Sequence, residues 1–168
     1  ITPFSYMRNP KEATWLPFVG RPGEENDESV IHSAMTARDL GMVTMLKPHI
    51  WLRRSWPGAI EMATDAEWDQ FFDYYYRWIR HYTILAEMYH FDVFCIGVEL
   101  GKTTVGHEDR WLEMVRKIRK LYGGKLTYAA NWGDEFEQVN FWEHFDYIGV
   151  NCYYPLSKAD NPSNAALD

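Results

Sequence analysis

Long apolar runs are missing from this sequence; none approaches the ~18 residues that a membrane-spanning helix needs. Cysteine is scarce, with 2 in 168 residues, too few for a disulfide framework. Basic residues are outnumbered, 17 Lys and Arg against 24 Asp and Glu for a net charge of −7. That balance argues against a nucleic-acid or anionic-membrane surface. No G-x-G-x-x-G or other phosphate-binding glycine loop follows an apolar run, and there is no G-x-S-x-G, no H-E-x-x-H and no Cys/His cluster at metal spacing. Neither a metal nor an organic cofactor is therefore expected. The chain opens on Ile1-Thr2-Pro3-Phe4, without an initiator Met or a signal-peptide pattern, and stops at Ala166-Leu167-Asp168 without a closing element. It reads as a single domain over 1–168, an internal fragment of a longer protein.

What is abundant is aromatic surface: 17% of residues, with 8 Trp and 11 Tyr. Rings in that number build either a large core or a cleft lined with flat faces, as carbohydrate-binding clefts are. Short apolar, β-rich runs recur at 1–6, 42–49, 93–98, 126–130 and 147–150, nearly continuous in apolar residues as strands buried on both faces are. Helical patterns separate them. One covers 27–40 and stops at Gly41. A long one opens on the capping box Thr64-Asp65-Ala66-Glu67. A third spans 109–122 and ends at Gly123-Gly124, and a shorter one is expected at 135–145. Strand alternating with helix implies an α/β fold with a parallel sheet and right-handed crossovers. A doubly wound open sheet and a (β/α)8 TIM barrel both satisfy that order. The missing phosphate loop weakens the first. Five strands make only a partial barrel, since a closed one takes ~250 residues.

Side-chain alternation along each strand predicts which groups reach the barrel mouth. Phe94, Ile96 and Val98 would face the helices, and Cys95, Gly97 and Glu99 the interior. Val43, Met45, Lys47 and His49 share a face. In the same way Asn131, Asn151 and Tyr153 fall inside. His49, Glu99, Asn131, Asn151 and Tyr153 thus arrive at the carboxyl ends of four strands, where α/β folds bind ligands. The parity also predicts two free, buried thiols, because Cys95 and Cys152 fall on opposite faces. Taken singly, each polar residue reads more readily as a cap, a packed side chain or a loop-satisfying group. Their convergence favours a site. A carboxylate ringed by Asn, His, Tyr and Trp suits glycoside hydrolysis: one carboxylic acid protonates the glycosidic oxygen, and a second carboxylate attacks the anomeric carbon or activates water. The acid requires a raised pKa, which a partly desolvated strand end would supply. Trp51, Trp56, Trp132, Tyr153 and Tyr154 fall at or after strand ends as sugar-stacking candidates, with Trp15 in the loop after the first strand. Trp68, Trp78 and Trp111 lie within helices and read as core.

Four stretches carry a family resemblance: Leu46-Lys47-Pro48-His49 with Trp56-Pro57-Gly58; Ile96-Gly97-Val98-Glu99-Leu100; 126–132 (LTYAANW); and 145–151 (FDYIGVN) with Tyr153-Tyr154-Pro155-Leu156. Together and in this order the chain resembles glycoside hydrolase family 113, retaining β-1,4-mannanases of the (β/α)8 clan with catalytic glutamates ending strands four and seven. The resemblance implies strands two to six here, Glu99 as general acid/base, and His49, Trp51, Asn131, Trp132, Asn151 and Tyr153 as substrate-binding positions. Val98 stands where much of the wider clan has Asn, which suits this family. The strand-seven nucleophile has no counterpart in the chain, and Glu135 and Glu143 make poor substitutes, so the fragment alone is expected to be inactive. The implied partner is an oligo- or polysaccharide, mannan first, and the implied location is extracellular or the cell envelope. A hydrolase of another β-glycan and a non-catalytic glycan-binding barrel remain as alternatives, with a nucleotide-binding open sheet behind them.

Overall fold

The computed structural model of the chain describes residues 1–18, 25–155, 157, 161 and 163. In chain order the elements are β1 (Phe4–Met7), α1 (Asp27–Asp39), β2 (Met45–Leu46), β3 (His49–Leu52), α2 (Asp65–Met88), β4 (Val93–Val98), α3 (Gly101–Thr104), α4 (Glu108–Arg119), β5 (Lys125–Asn131), α5 (Glu135–Gln138) and β6 (Tyr147–Asn151). Single 3-10 turns lie at Pro57–Ala59 and Trp142–His144.

The strand expected at 42–49 is divided by Pro48. Met45 and Leu46 pair with Val93 and Phe94 of β4, whereas His49 to Leu52 pair with Phe4 to Met7 of β1. Proline has no N–H to offer β4, so the ladder on that side ends at Leu46. On the other side the N–H groups of Lys47 and His49 donate to the carbonyls of Ile1 and Pro3. β2 and β3 therefore occupy one strand position. Five positions follow one another in sequence order, β1, β2/β3, β4, β5, β6, and every pairing is parallel. A doubly wound sheet would reverse its strand order and carry helices on both faces. Here the order never reverses, and the helices cover one face. Phe94, Ile96, Leu126, Tyr128 and Ala130 pack with residues of α1, α2 and α4 in one core. Cys95, Val98 and Ala129 form a separate cluster on the opposite side. This is the wall of a (β/α)8 barrel, a part of one, with its inner face open.

The helix layer forms where the sequence pattern places it. Asn26 caps α1, its side chain accepting from the Ser29 N–H, and Val30 and Ala34 are buried. Thr64 and Glu67 close the expected capping box at the head of α2. Along α2, Trp68, Phe71, Phe72, Tyr75, Trp78, Ile79 and Tyr82 turn into the core, and Trp111 of α4 meets Phe72 and Tyr75 edge-on. Trp68, Trp78 and Trp111 are thus core residues, as their helical positions suggest. The helix expected over 135–145 does not form. One turn, α5, is followed by extended Val139 and then the 3-10 turn. Val139 and Phe141 are both buried, and inserting residues two apart on the same side requires extended backbone, not helix.

Two His-Phe-Asp triplets prepare the strands that follow them. His90 takes a left-handed backbone (φ 53°) just past α2. Its N–H bonds to the Glu87 carbonyl and the Phe91 N–H to the Ala86 carbonyl. This is a Schellman closure with Phe91 as its buried anchor. Asp92 then accepts from the Thr44 N–H at 2.7 Å and returns its own N–H to the Thr44 carbonyl. Asp146 repeats the exchange one rung on: Oδ2 accepts from the Leu126 N–H at 2.8 Å, and its N–H donates to the Leu126 carbonyl. Each aspartate ties the base of its own strand to the base of the strand before it.

At Asp146, burial opposes ionisation, but bonds from Leu126 N–H, Arg119 and Lys125 outweigh it and bring the carboxyl down to about 2. A depressed folded-state pKa gives stability that is present above about pH 4 and is lost as pH falls toward 2. Asp146→Asn is therefore expected to cost the full-length protein about 1–2 kcal/mol at neutral pH, with the gap from wild type closing on acidification. Urea unfolding across that pH range checks it, and a gap independent of pH would refute the assignment.

Candidate active site

Glu99 is brought to the mouth by an irregular strand end. β4 and β5 stay in register from Val93↔Lys125 to Cys95↔Thr127, but the next pair is Val98↔Ala129. Three steps on β4 match two on β5, a bulge at Ile96-Gly97. It reverses the parity beyond it. Val98 joins Cys95 and Ala129 on the inner face, not the helix side expected for it. Gly97 accordingly leaves room outside: a Cβ there would lie 2.6 Å from the Tyr128 ring and 2.8 Å from the Trp111 ring. The expectation that Gly97 opens the interior is thus corrected, and the cause is the bulge. The loosened carbonyls are recaptured, Ile96 by the Tyr75 hydroxyl at 2.8 Å and Gly97 by the Cys95 thiol at 3.2 Å.

Glu99 follows with a left-handed backbone, φ 52°, a conformation costing a non-glycine residue ~1 kcal/mol or more. Its N–H donates to the Ala129 carbonyl at 2.8 Å. Its Oε1 accepts from Asn151 Nδ2 at 2.9 Å, and Asn151 Oδ1 in turn accepts from Lys47 Nζ at 2.9 Å. The amide of Asn151 is thereby oriented from both ends. The Lys47–Asn151–Glu99 chain spans three strand positions, β2/β3, β4 and β6, and converges at their carboxyl ends. Lys47 was legible only as a member of the inward face shared with His49.

His49 stands in the same electrostatic field. Its Nδ1 lies 2.9 Å from the Ile50 carbonyl, which can only accept, so Nδ1 carries the proton. Burial lowers its pKa, the Glu99 charge works the other way, and Lys47 adds to the lowering. A neutral ring with Nε2 as acceptor is the resulting state.

Glu135 is the residue that sequence reasoning undervalued. It is buried. One of its oxygens accepts from the Tyr128 hydroxyl and the other from the Asn131 N–H at 2.7 Å. The Tyr128 hydroxyl in turn accepts the Leu100 N–H at 2.7 Å. Glu135 thus holds, through Tyr128, the peptide that follows Glu99. Burial raises its pKa against the pull of the Tyr128 and Asn131 bonds, with Glu99 adding to the rise. Both oxygens face protein donors and support the backbone around Glu99 and Asn131. The available signal was its place four residues after Asn131, directly beyond a strand end.

The remaining candidates divide. Asn131 sits in register with Asn151, but its Oδ1 accepts from the Gly133 N–H at 3.0 Å and supports the local turn. Trp132 is half-buried and meets Tyr154 edge-on at 5.2 Å. Trp51, Trp56, Tyr153 and Tyr154 are exposed. Trp15 does not join them. It packs on Tyr74 and under Arg77 of α2, outside the barrel wall. Cys95 and Cys152 are both free, but only Cys95 is buried; Cys152 lies just past β6, where none of the described strands covers it. Among the described residues no cluster of three or more His, Cys, Asp or Glu could hold a metal, and no helix is long and apolar enough to cross a membrane. A groove of about 320 Å³ between α2 and α4, lined by Asp69, Tyr76 and Glu113 among others, lies on the helix layer and not at the strand ends.

Parallel strands whose carboxyl ends deliver a carboxylate, held by an amide and flanked by exposed rings, form the ligand-binding end of a partial (β/α)8 barrel. The model of glycoside hydrolase family 113 matches residues 3–166. The chain belongs to glycoside hydrolase family 113. Among solved structures, it is similar to the family 113 β-mannanase AaManA from Alicyclobacillus acidocaldarius in complex with ManMIm, with 29% identity, a TM-score of 0.82, and coverage of 90% of this chain and 49% of that one. It is also similar to a family 113 β-1,4-mannanase solved as a complex (28% identity, TM-score 0.82, 94% and 52% covered) and to a further β-1,4-mannanase structure (28%, 0.82, 93% and 51%). The chain spans about half the length of these structures. No curated protein matches it.

The packing at Gly97 and the support from Glu135 give two expectations. Gly97→Ala should destabilise the full-length protein by about 1–3 kcal/mol, because two buried rings must move; unchanged thermal unfolding would contradict the bulge. Glu135→Gln, whose single carbonyl can accept from the Tyr128 hydroxyl or the Asn131 N–H but not both and so turns an NH2 on the other donor, should cost about 1–3 kcal/mol. Denaturant titration measures it, and a neutral result would remove Glu135 from the support of Glu99.

Proposed function

We propose that this chain is the acid/base half of a retaining glycoside hydrolase acting on β-1,4-linked mannan. Glu99 in its acid form protonates the departing glycosidic oxygen. As a carboxylate it then takes a proton from the water that attacks the glycosyl-enzyme intermediate. The nucleophile in this reading is a glutamate contributed by the rest of the barrel, so the chain by itself does not turn over substrate. The single observation that carries the proposal is the placement of Glu99: turned inward past a bulge, in a left-handed conformation, and fixed by the Asn151 amide. The family and the mannanases it resembles support mannan as the substrate.

Asn151 orients the carboxyl without competing for its proton, since an amide does not titrate. His49, Trp51, Trp132, Asn131 and Tyr153 are proposed to contact the glycan, with the rings stacking on the apolar faces of the pyranoses.

Glu99→Gln in the full-length protein should lower kcat on β-1,4-mannan by about 10²–10⁴-fold while leaving oligosaccharide binding in place. Reducing-end release and product chromatography measure the first and calorimetry the second. Undiminished hydrolysis would remove Glu99 from the mechanism. Binding without hydrolysis by the wild type would favour the non-catalytic glycan-binding reading, and turnover of glucan in preference to mannan would move the substrate to another β-glycan.

A further inference from the structure

A second feature of the mouth is unaccounted for by neutral sugar chemistry. Beyond His49, the inward positions of β1 and β3 continue with Tyr6 and Trp51, which are register partners. Phe4 bridges back, its ring 5.3 Å from His49 and 6.2 Å from Trp51. Tyr6 and Trp51 are 52% and 55% exposed, enough to offer their faces to a ligand. Past them the chain places Arg8, Arg53 and Arg54, and these five residues with Met7 line a cleft of about 480 Å³. Arg54 holds a left-handed backbone, φ 65°, at the turn that brings two consecutive arginines to this rim.

All three arginines are exposed, and among the described residues none of them makes an ion pair or a side-chain hydrogen bond. Several other arginines are occupied: Arg77 by Asp73, Arg110 by Asp65 and Asp69, Arg119 by Asp146. In a chain of net charge −7, three guanidinium groups with no partner among the described residues stand beside two open aromatic rings and form a local positive field. Guanidinium forks match carboxylate and sulfate oxygens in pairs, and the rings suit a pyranose face.

We propose that this cleft is a subsite for an anionic sugar unit, a pyranose bearing a carboxylate or a sulfate, within the glycan that crosses Glu99. The inference rests on the glycosidase reading above and narrows its substrate to an acidic heteroglycan. The rings hold the sugar, the arginines read its charge, and the line Trp51–Phe4–His49 connects it to the strand ends that carry Glu99.

The test uses the full-length Glu99→Gln protein, so that ligands stay intact, and calorimetry with three probes: neutral β-1,4-mannohexaose, the same oligosaccharide oxidised to carboxylates at C6, and its C6-sulfated form. At low salt a charged probe is expected to bind about tenfold more tightly than the neutral one, the worth of one good charge-assisted contact. The advantage should shrink as salt is raised. Adding Arg8→Gln, Arg53→Gln and Arg54→Gln should bring the charged-to-neutral affinity ratio close to one; if the triple variant does not fold, Arg53→Gln alone should reduce the ratio. A gain for the carboxylated probe identifies a uronate-type ligand, and a gain for the sulfated probe alone identifies a sulfate ester. Equal affinity for all three probes, or a preference that survives the arginine substitutions, overturns the proposal. Loss of mannan hydrolysis as an activity of the wild type would instead count against the glycosidase reading, which these ratios do not measure.

Discussion

The hydrogen bond between Asn151 and Glu99 depends on a backbone that leaves the ordinary strand path twice. The bulge at Ile96-Gly97 reverses the face of Val98, and the left-handed turn at Glu99 then aims the carboxyl into the mouth. Neither departure would persist without outside support. Tyr75 holds the Ile96 carbonyl, Tyr128 holds the Leu100 N–H, and Glu135 fixes Tyr128. The aromatic layer between sheet and helices is therefore continuous with the site. Tyr75 comes from α2 and Tyr128 from β5, and each presents its ring to the core and its hydroxyl to the strand end. This use of tyrosine, apolar body and polar tip, lets a dry core stabilise a strained turn.

At the opposite end of the strands the same economy appears in aspartate. Asp92 and Asp146 each exchange two hydrogen bonds with the first residues of the preceding strand. Parallel strands have slanted, evenly spaced ladders and no hairpin to set their register. A side chain that grips the neighbouring strand at its base supplies that register locally. The mouth inherits its alignment from these anchors, since Thr127↔Tyr147 at the base and Asn131↔Asn151 at the rim belong to one uninterrupted ladder.

Much of this was legible in the sequence. The alternation of apolar runs with helical patterns and the capping box at Thr64 marked the barrel wall, because each is a local signal with a local cause. Parity placed Glu99, Asn131 and Asn151 at one end, and the structure brings Glu99 and Asn151 into contact. What the sequence patterns missed were the points where backbone geometry departs from the regular element: the bulge that turned Val98 inward, and the break at extended Val139 that ends the expected helix after one turn. A bulge leaves no periodic trace, as both parities remain apolar. Glu135 and Lys47 were undervalued for a related reason. Their importance comes from contacts across 4 to 104 residues of chain, and a lone charged residue in sequence looks like a solvated one.

The two cysteines end up in opposite chemical situations. Cys95 is enclosed in the inner wall, its thiol pushed up to about 11 by burial and bonded to the Gly97 carbonyl. Cys152 is exposed immediately after Asn151, one residue from the amide that steadies Glu99. Burial and the raised pKa keep Cys95 from forming a thiolate at neutral pH, so its alkylation would report opening of the barrel wall.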